Sequence, residues 1–251
     1  MTSFFDNVKI GRAAYNRNLT PPTGYAEDEI YGIPLTQTYV YQAGTASTSL
    51  ASGVFYASSA VAGTLTGTGV LVSGGVATFD VPRSVQITAS SNMATVTFTI
   101  RGTDAYGAPL TWAGVGPTGN TLGAAGSYVV SLSAFKTMTT ASCDGAATGA
   151  LTIGTSDTFG MPFRIPNVGY GMGVHINGES ATVPATWTAG LAATGVATAT
   201  TADVRGTVAL ATTVLSNGSR YFSFEFITPN TGIAAGADTK ENSYGVTPFT
   251  S

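Results

Sequence analysis

The only imidazole in 251 residues is His175 and the only thiol is Cys143, so any Ser-His-Asp or Cys-His centre would have to be built on one histidine. It stands in Gly173-Val174-His175-Ile176-Asn177, where Val174 and Ile176 share one face of a strand and His175 takes the other. That placement reads as a surface or interface histidine. Cys143 lies in the turn-like run Thr140-Ala141-Ser142-Cys143-Asp144-Gly145 with no neighbouring base, and reads as a packed or idle thiol. A lone cysteine forms no internal disulfide, so nothing here requires an oxidising compartment. The common zinc sites take three or four Cys and His ligands, more than this inventory holds.

Paired carboxylates are the remaining route to catalysis, because glycoside hydrolysis needs two of them facing a cleft. Asp104, Asp157 and Asp203 each fall at a predicted strand end near glycine, with Arg101, Arg164 and Arg205 close in sequence. Turn-starting aspartates tied to arginines explain the pattern without chemistry. Calcium held by loop carboxylates stays open, although no dense Asp/Asn loop of EF-hand type is present. The glycine-rich stretch from Gly67 to Gly75 contains no Gly-Lys-Ser/Thr and no strand–helix context for a phosphate cradle. No catalytic residue, metal site or cofactor is assigned, and the chain is expected not to be an enzyme.

The elements that would have to position such groups are strands. Charged residues make up only 9% of the chain, hydrophobic ones 43% and aromatics 10%, which allows a real core and excludes a disordered tail. A surface so poor in charge favours being covered by neighbours; the alternative is a soluble β protein coated by Ser, Thr and Asn. The net charge is −3 and the basic residues from Lys9 to Lys240 are scattered, so no nucleic-acid footprint exists. The N-terminus Met1-Thr2-Ser3-Phe4-Phe5-Asp6-Asn7 has no basic run or long apolar stretch, and no signal peptide or membrane span is expected.

Residues 1–45 differ from the rest. Asp6, Lys9, Arg12, Arg17, Glu27, Asp28 and Glu29 crowd into a short stretch, and Pro21-Pro22-Thr23-Gly24 favours an extended course. This reads as an extended N-terminal arm, or equally as the first strand and loop of one domain, since Thr36-Gln37-Thr38-Tyr39-Val40-Tyr41 alternates. Residues 46–251 read as a β-sandwich domain. Alternation is clearest in Val85–Ala89 and Val96–Ile100, which Ser90–Met93 would join as a hairpin. Further strands are expected over Tyr128–Leu132, Phe135–Thr139, Ala150–Ile153, Gly173–Ile176, Thr207–Thr212 and Tyr221–Ile227. In the last, Phe222, Phe224 and Phe226 alternate with Ser223 and Glu225. The best helical candidate, Ser47–Ala62, is interrupted by Gly53. Short strands with turns roughly every 8 to 12 residues give an all-β, antiparallel, jelly-roll-like sandwich or a closed barrel.

One local device repeats: aromatic, Gly, any residue, Pro. It occurs as Tyr31-Gly32-Ile33-Pro34, Tyr106-Gly107-Ala108-Pro109 and Phe159-Gly160-Met161-Pro162, the last two preceded by Gly102-Thr103-Asp104 and Gly154-Thr155-Ser156-Asp157. Related hairpins in one sheet are expected from it.

Runs from Pro82-Arg83-Ser84-Val85 through Val96–Gly107, then Ala134–Met138, Leu151–Pro162 and Asp203-Val204-Arg205-Gly206-Thr207 carry a resemblance. Over roughly Ser84 to Thr207 the chain resembles virion proteins of tailed bacteriophages, including capsid decoration, or cement, proteins with jelly-roll-like cores. In the family pattern the strand after the first Asp-aromatic-Gly turn ends in an acidic residue; here Pro109-Leu110-Thr111-Trp112-Ala113 has an aromatic. The resemblance implies a non-enzymatic protein on the capsid surface that binds between major capsid subunits. It would partner the major capsid protein and itself, as a homodimer or homotrimer, without nucleic acid or membrane. The alternatives are a jelly-roll major capsid protein and a glycan-binding head- or tail-fibre module. A double jelly roll needs about sixteen strands, and about ten to twelve are readable. Aromatics anchor interfaces, so the candidate contact residues are Phe4, Phe5, Tyr15, Tyr25, Tyr39, Tyr41, Trp112 and Trp187, with a core position equally open for Trp112.

Overall fold

The computed structural model describes residues 35–43, 55–60, 62–65, 67, 71–118, 127–162, 164–165, 168, 171–179, 181–191 and 202–228. Within them lie thirteen strands: β1 (Leu35–Gln42), β2 (Phe55–Ala60), β3 (Gly63–Thr64), β4 (Val72–Ser73), β5 (Val76–Ala89), β6 (Thr97–Thr103), β7 (Pro109–Val115), β8 (Ser127–Cys143), β9 (Ala147–Gly160), β10 (Gly171–Ile176), β11 (Ala185–Ala189), β12 (Gly206–Leu210) and β13 (Tyr221–Thr228). The fold is all-β, antiparallel and sandwich-like. A large sheet runs β11-β12-β9-β5-β8-β6-β7, with β2 on β9, β3 on β8 and β4 on β5, and a small sheet runs β1-β13-β10.

Three long strands shape the large sheet. β5 lies between β8 and β9 and is antiparallel to both. Ala89, the end of β5, pairs with Ser127 at one end of β8, whereas Phe98 near the start of β6 pairs with Cys143 at the other end. The chain from Ala89 to Phe98 spans roughly 32 Å at most, while β8 laid straight would run roughly 55 Å. β8 therefore bends back until its ends approach, and the sheet curls. The chain turns from β8 into β9 between Cys143 and Ala147, with β2 alongside β9 and β3 alongside β8. Asp144 pins the corner: its carboxylate accepts from the Thr97 N–H at 2.7 Å, and its own N–H donates to the Thr97 carbonyl at 3.1 Å.

The expected hairpin between Val85–Ala89 and Val96–Ile100 is not formed. β8 lies between them, so β5 and β6 are not neighbours. Their link instead buries Met93 and Val96 in the core. Tyr128–Leu132 and Phe135–Thr139 are one strand, β8, with a register shift opposite Ser84 and Gln86. The described part of Ser47–Ala62 includes β2, a strand and not a helix. The strand at Thr36–Tyr41 is formed, as β1, paired along its length with β13.

The repeated aromatic-Gly-X-Pro device does not build related hairpins. Around Gly107, at φ +82°, it forms the β6–β7 turn. There one Asp104 carboxylate oxygen accepts from the N–H groups of Tyr106 (2.9 Å) and Ala108 (2.8 Å). The second copy closes β9: Asp157 lies inside the strand and Phe159 is buried in the core. The copy at Tyr31–Pro34 lies outside the described residues.

Two hydrophobic clusters result. The first is enclosed by the curled sheet and contains Phe79, Val85, Ile87, Phe98, Ile100, Trp112, Phe135, Met138, Leu151 and Ile153 among others. The second lies between the small sheet and the β9–β12–β11 end of the large one, and holds Tyr41, Phe159, Val208, Phe222, Phe224 and Phe226. The alternation in β13 turns its three phenylalanines into this cluster, where Phe159 lies 5.7 Å from Phe222 and 5.8 Å from Phe224, ring centre to ring centre.

Candidate functional site

The densest polar site is centred on Arg83, at the boundary of the two clusters. Opposite an advance of two residues on β8, from Thr137 to Phe135, β5 advances five, from Thr78 to Arg83. This bulge sends Phe79 into the first cluster and Val81 into the second. Its carbonyls are taken up by Lys136, whose Nζ donates to Phe79 O (2.7 Å) and Asp80 O (2.8 Å). Arg83 is 1% exposed and grips the Asp80 carboxylate through Nε (2.8 Å) and Nη2 (2.9 Å). Its Nη1 reaches Ser156 O at 3.2 Å, Ser216 Oγ at 3.3 Å and Asp157 Oδ1 at 3.4 Å. Ser216 also donates to Asp157 from both its hydroxyl and its N–H. The guanidinium carbon lies 5.0 Å from the Phe159 ring centre. One arginine thus ties β5, β9 and the segment leading into β13. A buried ion is tolerable only when so fully partnered.

A second cluster surrounds Arg205, whose Nη2 is 2.7 Å from Asp104 Oδ2, both side chains being buried. Its guanidinium lies over the Tyr106 ring at 4.6 Å, and the Tyr106 hydroxyl donates to Pro162 O at 2.6 Å. Asp203 accepts from the N–H of Arg205 and of Ala134, each at 2.9 Å. Burial pushes the Asp203 carboxyl above its usual range, against the pull of those two N–H groups and of Arg205. These carboxylates face inward onto backbone and arginine, so they fasten the β6–β7 turn to the start of β12. The arginines follow a different pairing from sequence proximity: Asp104 takes Arg205, and Asp157 takes Arg83. Arg101 is exposed on β6, and Arg164 donates to Gly190 O at 3.3 Å.

His175 sits between two acceptors. Its Nε2 is 3.4 Å from Glu225 Oε2 on β13, and its Nδ1 is 3.0 Å from Glu179 O in the turn after β10. It joins strand, turn and neighbouring strand. Cys143 is buried in the first cluster. No group of three or more His, Cys, Asp or Glu that could hold a metal ion occurs among the described residues.

The contact aromatics separate clearly. Tyr41 is buried, its ring 5.4 Å from Phe224 and its hydroxyl donating to Gly160 O at 2.7 Å; burial pushes that hydroxyl's pKa upward. Trp112 is a residue of the first core, which leaves no open ring face for a sugar. Trp187 is half-buried on β11, edge-on to Phe224 at 6.4 Å. Tyr39 alone of the four is exposed, with Val40 beside it. Phe4, Phe5, Tyr15 and Tyr25 lie outside the described residues. The Arg83–Asp80 pair is not among the residues the sequence singles out as a site. Its signal was present: two opposite charges three residues apart around Val81-Pro82, in a strand otherwise almost uncharged.

No protein-family model, curated protein or solved structure matches the chain.

Proposed function

We propose that this chain is a non-catalytic structural protein of a tailed-phage virion, a cement protein on the capsid surface that binds between major capsid subunits. One observation carries the non-catalytic part: the buried charges of the two densest polar sites, Arg83 with Asp157 and Arg205 with Asp104 and Asp203, are engaged in joining one segment to another. The capsid part draws on the resemblance over Ser84–Thr207 and on the low charge of the whole chain. Few charges suit contacts that salt does not weaken. At ~25 cal/mol per Å² of apolar surface, a seam of ~1,000 Å² contributes usefully per copy, and symmetry repeats it over the shell. Self-association adds avidity, because one bound copy holds the next near its own position. Neither nucleic acid nor membrane is needed as a partner.

The test is to strip virions of the protein, add back the purified chain, and measure retention on particles and their resistance to heat and chelation. Rebinding with a raised disruption temperature is expected. A protein that leaves stripped particles unbound and equally fragile overturns the proposal.

A further inference from the structure

We propose that β1 pairs edge to edge with β1 of a second copy, antiparallel, about a two-fold axis through Tyr39. β1 hydrogen-bonds to β13 on one side, and among the described residues its other edge has no strand partner. An open edge presents backbone N–H and C=O groups that an added strand satisfies, and proteins guard such edges with Pro, charge, bulges or shortness. Leu35-Thr36-Gln37-Thr38-Tyr39-Val40-Tyr41-Gln42 is eight residues long and has none of these guards. The other edges differ. β7 opens on Pro109, β11 has five residues, β2 shifts register between Ser58 and Ala60, and β10 carries a register shift at Gly171/Gly173 and a bridge from His175 to Thr182.

A second copy is the occupant that the strand itself favours. With no charge along β1, self-pairing sets no like charges opposite one another, and a charged foreign strand would find no counterpart. A two-fold axis normal to the sheet keeps the core-facing sides of both copies together only when it passes through a residue position. Through Tyr39 it pairs residues 36–42, placing Tyr39 opposite Tyr39, Thr38 opposite Val40, and Gln37 opposite Tyr41. Tyr39 is 39% exposed and packs edge-on against Tyr41 at 5.0 Å. Facing its own copy, it would continue the aromatic row Tyr39–Tyr41–Phe224 across the junction, the kind of cross-strand pair that stabilises sheets. Val40, 53% exposed on the outer face, would lie diagonal to its counterpart.

One strand pair falls short of the ~1,200 Å² of a standard interface, so the dimer is weak and depends on concentration. The pairing rests on the assembly reading only for its purpose; the edge geometry stands apart from it. Sedimentation of the full chain from micromolar to millimolar concentration tests it, with Val40→Lys and Val40→Glu, whose folding is checked by circular dichroism. The wild type should dimerise reversibly. Each variant should lose about tenfold or more in association through like charge across the diagonal, and an equimolar mixture of the two should recover most of it. A wild type monomeric throughout, including one whose own chain covers the β1 edge, overturns the proposal. So does a dimer indifferent to both variants, or a mixture no tighter than either alone. Add-back to stripped virions separates the two ideas: dimers that ignore particles sink the cement function alone, whereas monomers that bind particles sink the pairing alone.

Discussion

The two hydrophobic clusters are built on different terms. The first is largely aliphatic and lies within one curled sheet whose long strands supply its residues from several directions. The second is richer in aromatic rings, and half of its wall is a three-stranded sheet whose face meets the rest through side chains such as Tyr41, Phe222 and Phe224. A curled sheet holds its core by backbone ladders, which tolerate the loss of one side chain. The small sheet depends on Phe159, Tyr41, Phe224 and the Arg83 boundary. The second region should therefore be the weaker, and the part that opens first.

Removing Arg83 is the most damaging change expected. Arg83→Ala leaves Asp157 inside without its cation and empties the space over Phe159, a loss of about 3–5 kcal/mol. Arg83→Met with Asp157→Asn should recover part of it, because an apolar replacement of a buried pair is often nearly neutral. Denaturant midpoints check both, and a loss below about 1 kcal/mol for Arg83→Ala would show that the boundary does not bind the two regions.

Phe224→Ala and Phe98→Ala remove equivalent buried rings from the second and first clusters, at about 3–5 kcal/mol each. Their consequences should separate under hydrogen exchange. Phe224→Ala should speed exchange in β1, β10 and β13 while β6 and β7 stay protected. Phe98→Ala should weaken the whole molecule. Equal, global loss of protection in both would make the clusters one cooperative unit and end the distinction.

Smaller, at about 1.5–3 kcal/mol, is the loss of a charged partner in Asp104→Asn. It weakens the attachment of the β6–β7 turn to Arg205 while Tyr106 keeps its bond to Pro162 O. Thermal unfolding measures it, and an unchanged midpoint would mean that the turn is held by backbone bonds alone.

What the sequence reveals follows the range of each interaction. Alternation is local, so β13 and β10 are legible residue by residue, and so is the β6–β7 turn, which Asp104 and Gly107 form within five residues. Strand order is not local. Val85–Ala89 and Val96–Ile100 read as a hairpin because only their own alternation and the short link are visible. The strand between them begins at Ser127 and reaches both only by bending. The same distance hides the sites: the partner of Asp157 is Arg83, in another strand, and nothing near Asp157 announces it. Trp112 and Tyr41 read as contact aromatics because burial depends on which sheet covers a face.

The smallest effects concern two aspartates whose environments act in opposite directions. Asp144, exposed at the β8–β9 corner, has its pKa held below the usual 3.8 by the hydrogen bond from the Thr97 N–H. Its folded-state pKa is depressed, so its contribution to stability is present above 3.8 and is lost as pH falls through the folded value. Asp203, buried before β12, is raised above 3.8 by desolvation, so its folded state holds the proton more tightly. It therefore opposes folding increasingly as pH rises from 3.8 through its folded value. Carboxyl carbon shifts followed by NMR should titrate on opposite sides of 3.8 for the two. Asp144→Asn should flatten the acid limb of the stability curve, loosening the corner that lets β8 turn into β9. If both carboxyls titrate together, the corner bond from Thr97 does not persist in solution, and the curl is held by the core alone.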